Sequence, residues 1–82
     1  MVNIVVRFLP PLREQVGQDN IRMELPAGTT VAQALNILRA DYPHLDKAMD
    51  RVLFMVNYQR TMPDTILQDG DQLICFQMLG GG

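Results

Sequence analysis

The sequence predicts an α+β fold in which one main helix covers one face of a sheet of four to five strands. Three observations support this prediction. Residues 2–8 alternate between apolar and polar side chains, residues 30–42 carry one apolar stripe at helical spacing, and two later apolar runs, at residues 52–58 and 72–78, have the length of strands. With 82 residues, of which 48% are hydrophobic, the chain is long enough for one core without disulfides or metal.

The first two strands are predicted to form an antiparallel pair. In the first strand, residues 2–8, the side chains of one face are Val2, Ile4, Val6 and Phe8. Pro10 and Pro11 end this strand because proline cannot donate to a ladder, and residues 12–16 are expected to form a helical turn. The second strand has Ile21, Met23 and Leu25 on one face. A connection of about a dozen residues between the strands indicates a wide loop.

The main helix has a clear beginning and end. Thr30 is a good N-cap, and Gln33 three residues later completes a capping box. The apolar stripe that follows consists of Val31, Ala34, Leu35 and Leu38. Pro43 disfavours the helical conformation of Tyr42 and so sets the limit of the helix. A short helical turn is expected within residues 44–51.

The second half of the chain predicts a strand at 52–58, a short pairing segment at Ile66 and Leu67, and a last strand at 72–78. Gly70, between two aspartates, supplies the positive φ that the turn before the last strand requires. Both strands are apolar on both faces, whereas a single helix covers only one face of a sheet. An exposed apolar patch is therefore expected, unless the long loops cover it.

This patch is predicted to be a protein interface beside the C-terminus. Its expected residues are Met55, Ile74, Phe76 and Met78. The predicted organisation is a folded domain over residues 1–78, followed by a flexible glycine tail at 79–82. The tail consists of Leu79, Gly80, Gly81 and Gly82. Because the three glycines lack a Cβ, the tail is slim enough to pass through a narrow channel and present the carboxylate of Gly82. A frayed end or a remnant of cloning is the alternative.

Composition and charge exclude several function classes. The net charge is −2 and Lys47 is the only lysine, so no basic stripe is available for nucleic acid. No apolar run is long enough to cross a membrane, which predicts a soluble, cytoplasmic protein. One cysteine and one histidine exclude an internal disulfide and a structural zinc site. Cys75 is interpreted as a buried core residue and His44 as a surface residue. No metal site is expected.

A series of short motifs runs in order along most of the chain. They are Phe8 with Leu12-Arg13-Glu14 and Gly17, Leu25-Pro26-Ala27-Gly28-Thr29-Thr30-Val31, Pro43 with Leu45, Val56-Asn57, Asp64, Leu67, Asp69-Gly70-Asp71 and Gly81-Gly82. In order and spacing this series resembles the small sulfur carriers of the MoaD/ThiS family, most closely the small subunit of molybdopterin synthase. The resemblance implies a ubiquitin-like β-grasp fold with a mixed sheet.

The chain departs from the family pattern at a few positions. Leu9 and Pro10 stand where an aromatic and then a small residue are frequent, Gln77-Met78 where a pair of prolines is frequent, and Gly80 where Ser, Thr or Ala is usual. The last residues before the tail look more like the thiazole-forming carriers of thiamine synthesis. Those carriers are typically shorter and lack the Leu-Arg-Glu segment, so they are the second interpretation.

The resemblance implies a function for the C-terminus. An E1-like adenylating enzyme of the MoeB/ThiF type would use ATP to adenylate Gly82, and a sulfur donor would convert it to a thiocarboxylate. The large subunit of molybdopterin synthase, of the MoaE type, would accept the tail in its pocket, where sulfur passes to a pterin precursor, in a heterotetramer. The chain would bind no cofactor and would not be catalytic by itself. A ubiquitin-like protein modifier and a plain interaction domain are the other classes of function.

Overall fold

The computed structural model describes residues 1–77. The strands are β1 (Val2–Phe8), β2 (Asn20–Leu25), β3 (Leu53–Val56) and β4 (Gln72–Phe76), and the helices are α1 (Leu12–Val16), α2 (Val31–Asp41) and a 3-10 helix (Pro43–Leu45). The prediction of an α+β fold with one main helix is confirmed. The short helical turns predicted after β1 and after α2 are also present.

The four strands form one mixed sheet in the order β2-β1-β4-β3. The β1–β2 and β3–β4 pairs are antiparallel, whereas the central pair, β1 and β4, is parallel, with Val6 opposite Leu73. The predicted antiparallel pairing of the first two strands is confirmed. The parallel central pair brings the beginning and the end of the described chain together, so that the last strand is held on both sides.

Helix α2 begins with the predicted capping box. The backbone N–H of Gln33 donates to Thr30 Oγ1 at 3.2 Å, and the N–H of Thr30 donates to Gln33 Oε1 at 2.9 Å. These two bonds satisfy donors that the first turn of a helix leaves unpaired. The helix ends at Asp41, before Tyr42 and Pro43, as predicted.

One hydrophobic core lies between the sheet and the helices. Its buried apolar side chains are Ile4, Val6, Phe8, Leu12, Val16, Ile21, Met23, Leu25, Val31, Ala34, Leu38, Leu45, Met49, Leu67, Leu73 and Cys75. The core faces predicted for the first two strands are confirmed. The predicted short pairing segment is also found, since Ile66 forms an isolated bridge with Thr30. None of the helices within residues 1–77 is long and apolar enough to span a bilayer.

The third strand is shorter than predicted. It ends at Val56, whereas the sequence pattern indicated a strand to residue 58. Asn57 and Tyr58 have φ values of 52° and 63°, and Val56 and Gln59 exchange backbone hydrogen bonds across this tight turn. The Asn57 side chain stabilises the turn, because its Oδ1 accepts from the N–H of Gln72 at 2.9 Å. Tyr58 is therefore exposed in a turn rather than on the core face of a strand.

Candidate functional site

The described part of the chain ends next to the centre of the sheet. Strand β4 lies between β1 and β3. The N–H of Leu9, the residue after β1, donates to the carbonyl of Cys75 in β4 at 3.0 Å. The predicted last strand is confirmed from Gln72 to Phe76. The remaining predicted site residues, Met78, Leu79, Gly80, Gly81 and Gly82, lie outside the described residues, as does the predicted tail at 79–82.

Gln77, the last residue that the structure describes, is held by two hydrogen bonds of its side chain. Its Nε2 donates to the carbonyl of Ala48 at 3.0 Å, and its Oε1 accepts from Gln15 Nε2 at 3.3 Å. Ala48 follows the 3-10 helix and Gln15 lies in α1, so the two bonds join the end of the sheet to two separate segments. Gln77 was not among the predicted site residues. Its position in place of one of the family's frequent prolines is the sequence signal that marks it.

The sheet has an apolar strip on the face opposite α2. We call this strip the outer apolar surface, and it consists of Leu53, Met55, Ile74 and Phe76. Leu53 lies opposite Phe76, and Met55 lies opposite Ile74, in the antiparallel β3–β4 pair. The paired residues of such a ladder point to the same face, while the alternate residues Phe54 and Val56 pack on the core.

Exposure differs sharply within the outer apolar surface. Leu53 is 41% exposed, Met55 and Phe76 are partly buried, and Ile74 is 0% exposed. The expectation that Ile74 is an exposed contact is therefore wrong, since this side chain stands in the central part of the sheet between Arg7 of β1 and Met55 of β3. Leu53, which was not among the predicted site residues, has the most accessible side chain of the four.

Cys75 is confirmed as a core residue. Its side chain is 0% exposed, on the core face of β4. Burial raises the pKa of the Cys75 thiol from 9.0 to about 12, because the desolvated thiolate is disfavoured. Since the thiolate is the reactive form of cysteine, Cys75 is not a nucleophile in the folded chain at neutral pH.

The carboxylates around Gly70 have structural partners, as the turn interpretation predicted. Asp69 Oδ1 accepts from the N–H of Asn3 at 2.7 Å. Asp71 accepts from the N–H of Gln68 at 2.7 Å and from Asn57 Nδ2 at 2.9 Å. Gly70 has a φ of 87°, a conformation that favours glycine. These groups fix the turn before β4 and leave no carboxylate pair for acid–base chemistry.

The other polar candidates do not form a reactive cluster. Arg13 pairs with Asp19 at 3.5 Å, across the connection between β1 and β2. His44 is exposed and meets the ring of Tyr42 edge to face at 6.2 Å. Within residues 1–77, no three His, Cys, Asp or Glu side chains are grouped closely enough to hold a metal ion. The described fold thus presents a fixed strand end beside an apolar strip.

Comparison with known proteins places this geometry in a family. The profile of the ThiS family matches residues 6–82. The molybdopterin synthase sulfur carrier subunit of Arabidopsis thaliana is 27% identical over 81 residues, which are 99% of this chain and 84% of that protein.

Three solved structures have the same fold as this chain. SAMP1 from Haloferax volcanii has a TM-score of 0.85 at 22% identity, with 98% of this chain and 99% of that chain covered. A putative molybdopterin converting factor subunit 1 from Pyrococcus furiosus has 0.83 at 23% identity, with 96% and 100% covered. The complex of subunits 1 and 2 of the molybdopterin-converting factor from Helicobacter pylori has 0.72 at 18% identity, with 99% and 100% covered. These likenesses confirm the ubiquitin-like β-grasp fold, and the match over residues 6–82 shows that the chain belongs to the ThiS family of MoaD/ThiS-like sulfur carriers.

Proposed function

We propose that this chain is the sulfur-carrying small subunit of a molybdopterin synthase and that the C-terminal carboxylate of Gly82 is its reacting group. The observation that carries the proposal is the fixed end of β4, where Gln77 is bonded to two other segments, followed in the sequence by a run that ends in three glycines. A rigid body attached to a slim tail suits a protein that delivers its own terminus to another protein's active site.

The chemistry begins with a carboxylate that is a poor electrophile. With an ordinary pKa of about 3.5, the α-carboxyl group of Gly82 is an anion at neutral pH. An E1-like adenylating enzyme of the MoeB/ThiF type would join one carboxylate oxygen to the α-phosphate of ATP and release pyrophosphate. Attack of sulfide-level sulfur on the acyl carbon would then expel AMP and leave a thiocarboxylate. ATP is thus used by the partner, and this chain itself binds no cofactor.

The second partner would be the large subunit of the synthase, of the MoaE type. The related Helicobacter pylori structure is a complex of subunits 1 and 2, which supports a partner of this kind. The outer apolar surface adjoins the strand end, so it is the surface that we assign to this contact, with Leu53 as its most exposed residue. Leu79, Gly80 and Gly81 would occupy the channel, where positioning of the thiocarboxylate next to the pterin supplies much of the rate. We propose that two copies of each subunit form a heterotetramer.

Two alternatives have specific support. The fold is shared with SAMP1, a small archaeal modifier protein, so the tail could end on lysines of other proteins. The ThiS family profile also fits a carrier that supplies sulfur for the thiazole of thiamine. Both alternatives need the same adenylated tail, and they differ in the acceptor that receives it.

The test is a reconstitution from purified proteins. The chain is incubated with the adenylating enzyme of the same organism, ATP and a sulfur donor, and its intact mass is measured. The proposal predicts a gain equal to replacement of one oxygen by sulfur, and conversion of the pterin precursor when the large subunit is added. Sulfur transfer only to thiazole synthase, or adducts on protein lysines without thiocarboxylate, would contradict the assignment to molybdopterin synthase.

A further inference from the structure

Two arginines lie side by side on the outer face of the sheet. In the antiparallel β1–β2 pair, Arg7 is opposite Asn20 and Arg22 is opposite Val5. This register makes Arg7 and Arg22 diagonal neighbours on one face, with Cβ atoms about 7 Å apart. Both side chains are exposed, and both point away from the core side on which Val6 and Ile21 are buried.

Neither arginine forms an ion pair within residues 1–77, where the salt bridge of Arg13 with Asp19 is the one present. Glu24 is exposed on the same face, two residues after Arg22, without pairing to it. The nearby Asp71 is already bonded to Gln68 and Asn57. The two positive charges therefore stand side by side without an ion-pair partner among the described residues, in a sequence whose net charge is −2.

The two guanidinium groups line a polar recess of about 290 Å³. Its lining residues are Val5, Arg7, Asn20, Arg22, Gly70 and Gln72. Arginine presents paired N–H donors that match the two oxygens of a carboxylate. The recess therefore has the donors and the size to accept one or two acidic side chains.

The recess is continuous with the outer apolar surface. Arg7 lies opposite Ile74 in the parallel β1–β4 pair, and Ile74 lies opposite Met55 in the next pair. A protein that covers the apolar strip would thus place its neighbouring residues over the two arginines. We propose that Arg7 and Arg22 bind acidic side chains on the large subunit, the partner assigned to the adjoining apolar surface, so that docking of the carrier depends on charge as well as on apolar contact. This inference rests on the proposed function.

The test compares three charge reversals that change the net charge equally. Arg7→Glu and Arg22→Glu alter the recess, whereas Arg60→Glu alters an exposed arginine in the loop after β3 and serves as the matched control. The dissociation constant for the purified large subunit is measured by calorimetry at about 50 and 300 mM salt. Each recess variant is expected to raise Kd at low salt by at least about fivefold and to weaken its salt dependence, while Arg60→Glu changes Kd less than about twofold.

Folding and function are checked separately. Circular dichroism and thermal unfolding establish that each variant is folded, and Arg7→Gln and Arg22→Gln give the same comparison without introducing a negative charge. With the adenylating enzyme in saturating excess, the variants should still form thiocarboxylate. If the wild-type chain forms thiocarboxylate but all variants bind as it does, or binding is independent of salt, this inference is wrong. If the wild-type chain forms none, the proposed function fails instead.

Discussion

Gln77 Nε2 donates a hydrogen bond of 3.0 Å to the carbonyl of Ala48, a residue 29 positions earlier in the chain. This bond joins the end of the sheet to the segment after the 3-10 helix, and Gln15 of α1 bonds to the same side chain. The direction in which the chain leaves β4 is therefore set by two elements besides the sheet. If the terminus is the reacting group, as proposed, a fixed starting point reduces the number of positions that the tail must search.

Replacement of Gln77 by alanine tests this anchoring role. The loss of both side-chain bonds should lower the free energy of unfolding by about 1 kcal/mol or less, because Gln15 is exposed to water and such bonds contribute little net stability. Thiocarboxylate formation at limiting adenylating enzyme should slow by about threefold or more. Gln18→Ala, a change at an exposed glutamine of the β1–β2 connection, is the control. Equal rates for the two variants would argue against an anchoring role.

Leu53→Glu tests the outer apolar surface. The side chain is 41% exposed, so the substitution should cost the folded chain about 1 kcal/mol or less. A charge within an apolar contact should nevertheless raise the Kd for the large subunit by at least about tenfold. The matched control is Met62→Glu in the loop between β3 and β4, where the side chain is 65% exposed. Similar weakening by both substitutions, measured by calorimetry, would show that the effect is one of net charge.

Cys75 should make stability depend on alkaline pH. Burial raises the pKa of its thiol from 9.0 to about 12, so the thiolate favours the unfolded chain. The stabilisation is complete below about pH 9 and is lost as the pH rises towards 12, at about 1.4 kcal/mol per pH unit. Urea unfolding between these pH values measures the slope. Cys75→Ala should be less stable at neutral pH but lack this part of the slope, and parallel curves for the two proteins would refute the assignment.

Alanine at Gly81 or Gly82 tests whether the tail must be slim. Each substitution adds one Cβ to a segment proposed to enter a narrow channel, without altering the core. Thermal unfolding should be unchanged, while adenylation or sulfur delivery should fall by about tenfold or more. Ala27→Gly, a change of the same size in an exposed loop, is a control for handling and concentration. Unchanged transfer by both tail variants would contradict the channel interpretation.

The fold was largely predictable because its signals are local. Alternation identified the core faces of β1 and β2, and the capping box of Thr30 and Gln33 identified the start of α2. The third strand was predicted to end two residues too late because Tyr58 continues the apolar alternation. A residue as large as Tyr58 rarely adopts positive φ. The turn that imposes this φ on Tyr58 is fixed by the hydrogen bonds from Asn57 to β4.

The site was less predictable because it depends on pairing between distant strands. In the sequence, Ile74 belongs to a strand that is apolar on both faces, which does not show whether its side chain is exposed. The order of the sheet shows that Ile74 lies between Arg7 and Met55, where it is buried. The contact of Gln77 with Ala48 spans 29 positions and leaves no periodic signal. The adjacency of Arg7 and Arg22 likewise follows from strand register and not from their spacing in the sequence.

The proposal that sulfur is carried on Gly82 is tested most directly by tandem mass spectrometry of the C-terminal peptide. The chain is first allowed to react with the adenylating enzyme, ATP and a sulfur donor. We expect one oxygen to be replaced by sulfur at Gly82, with Cys75 unmodified because it is buried. A chain lacking Gly81 and Gly82 should show no change. Sulfur added at Cys75, or an unmodified Gly82 while the same enzyme converts another carrier, would contradict the claim.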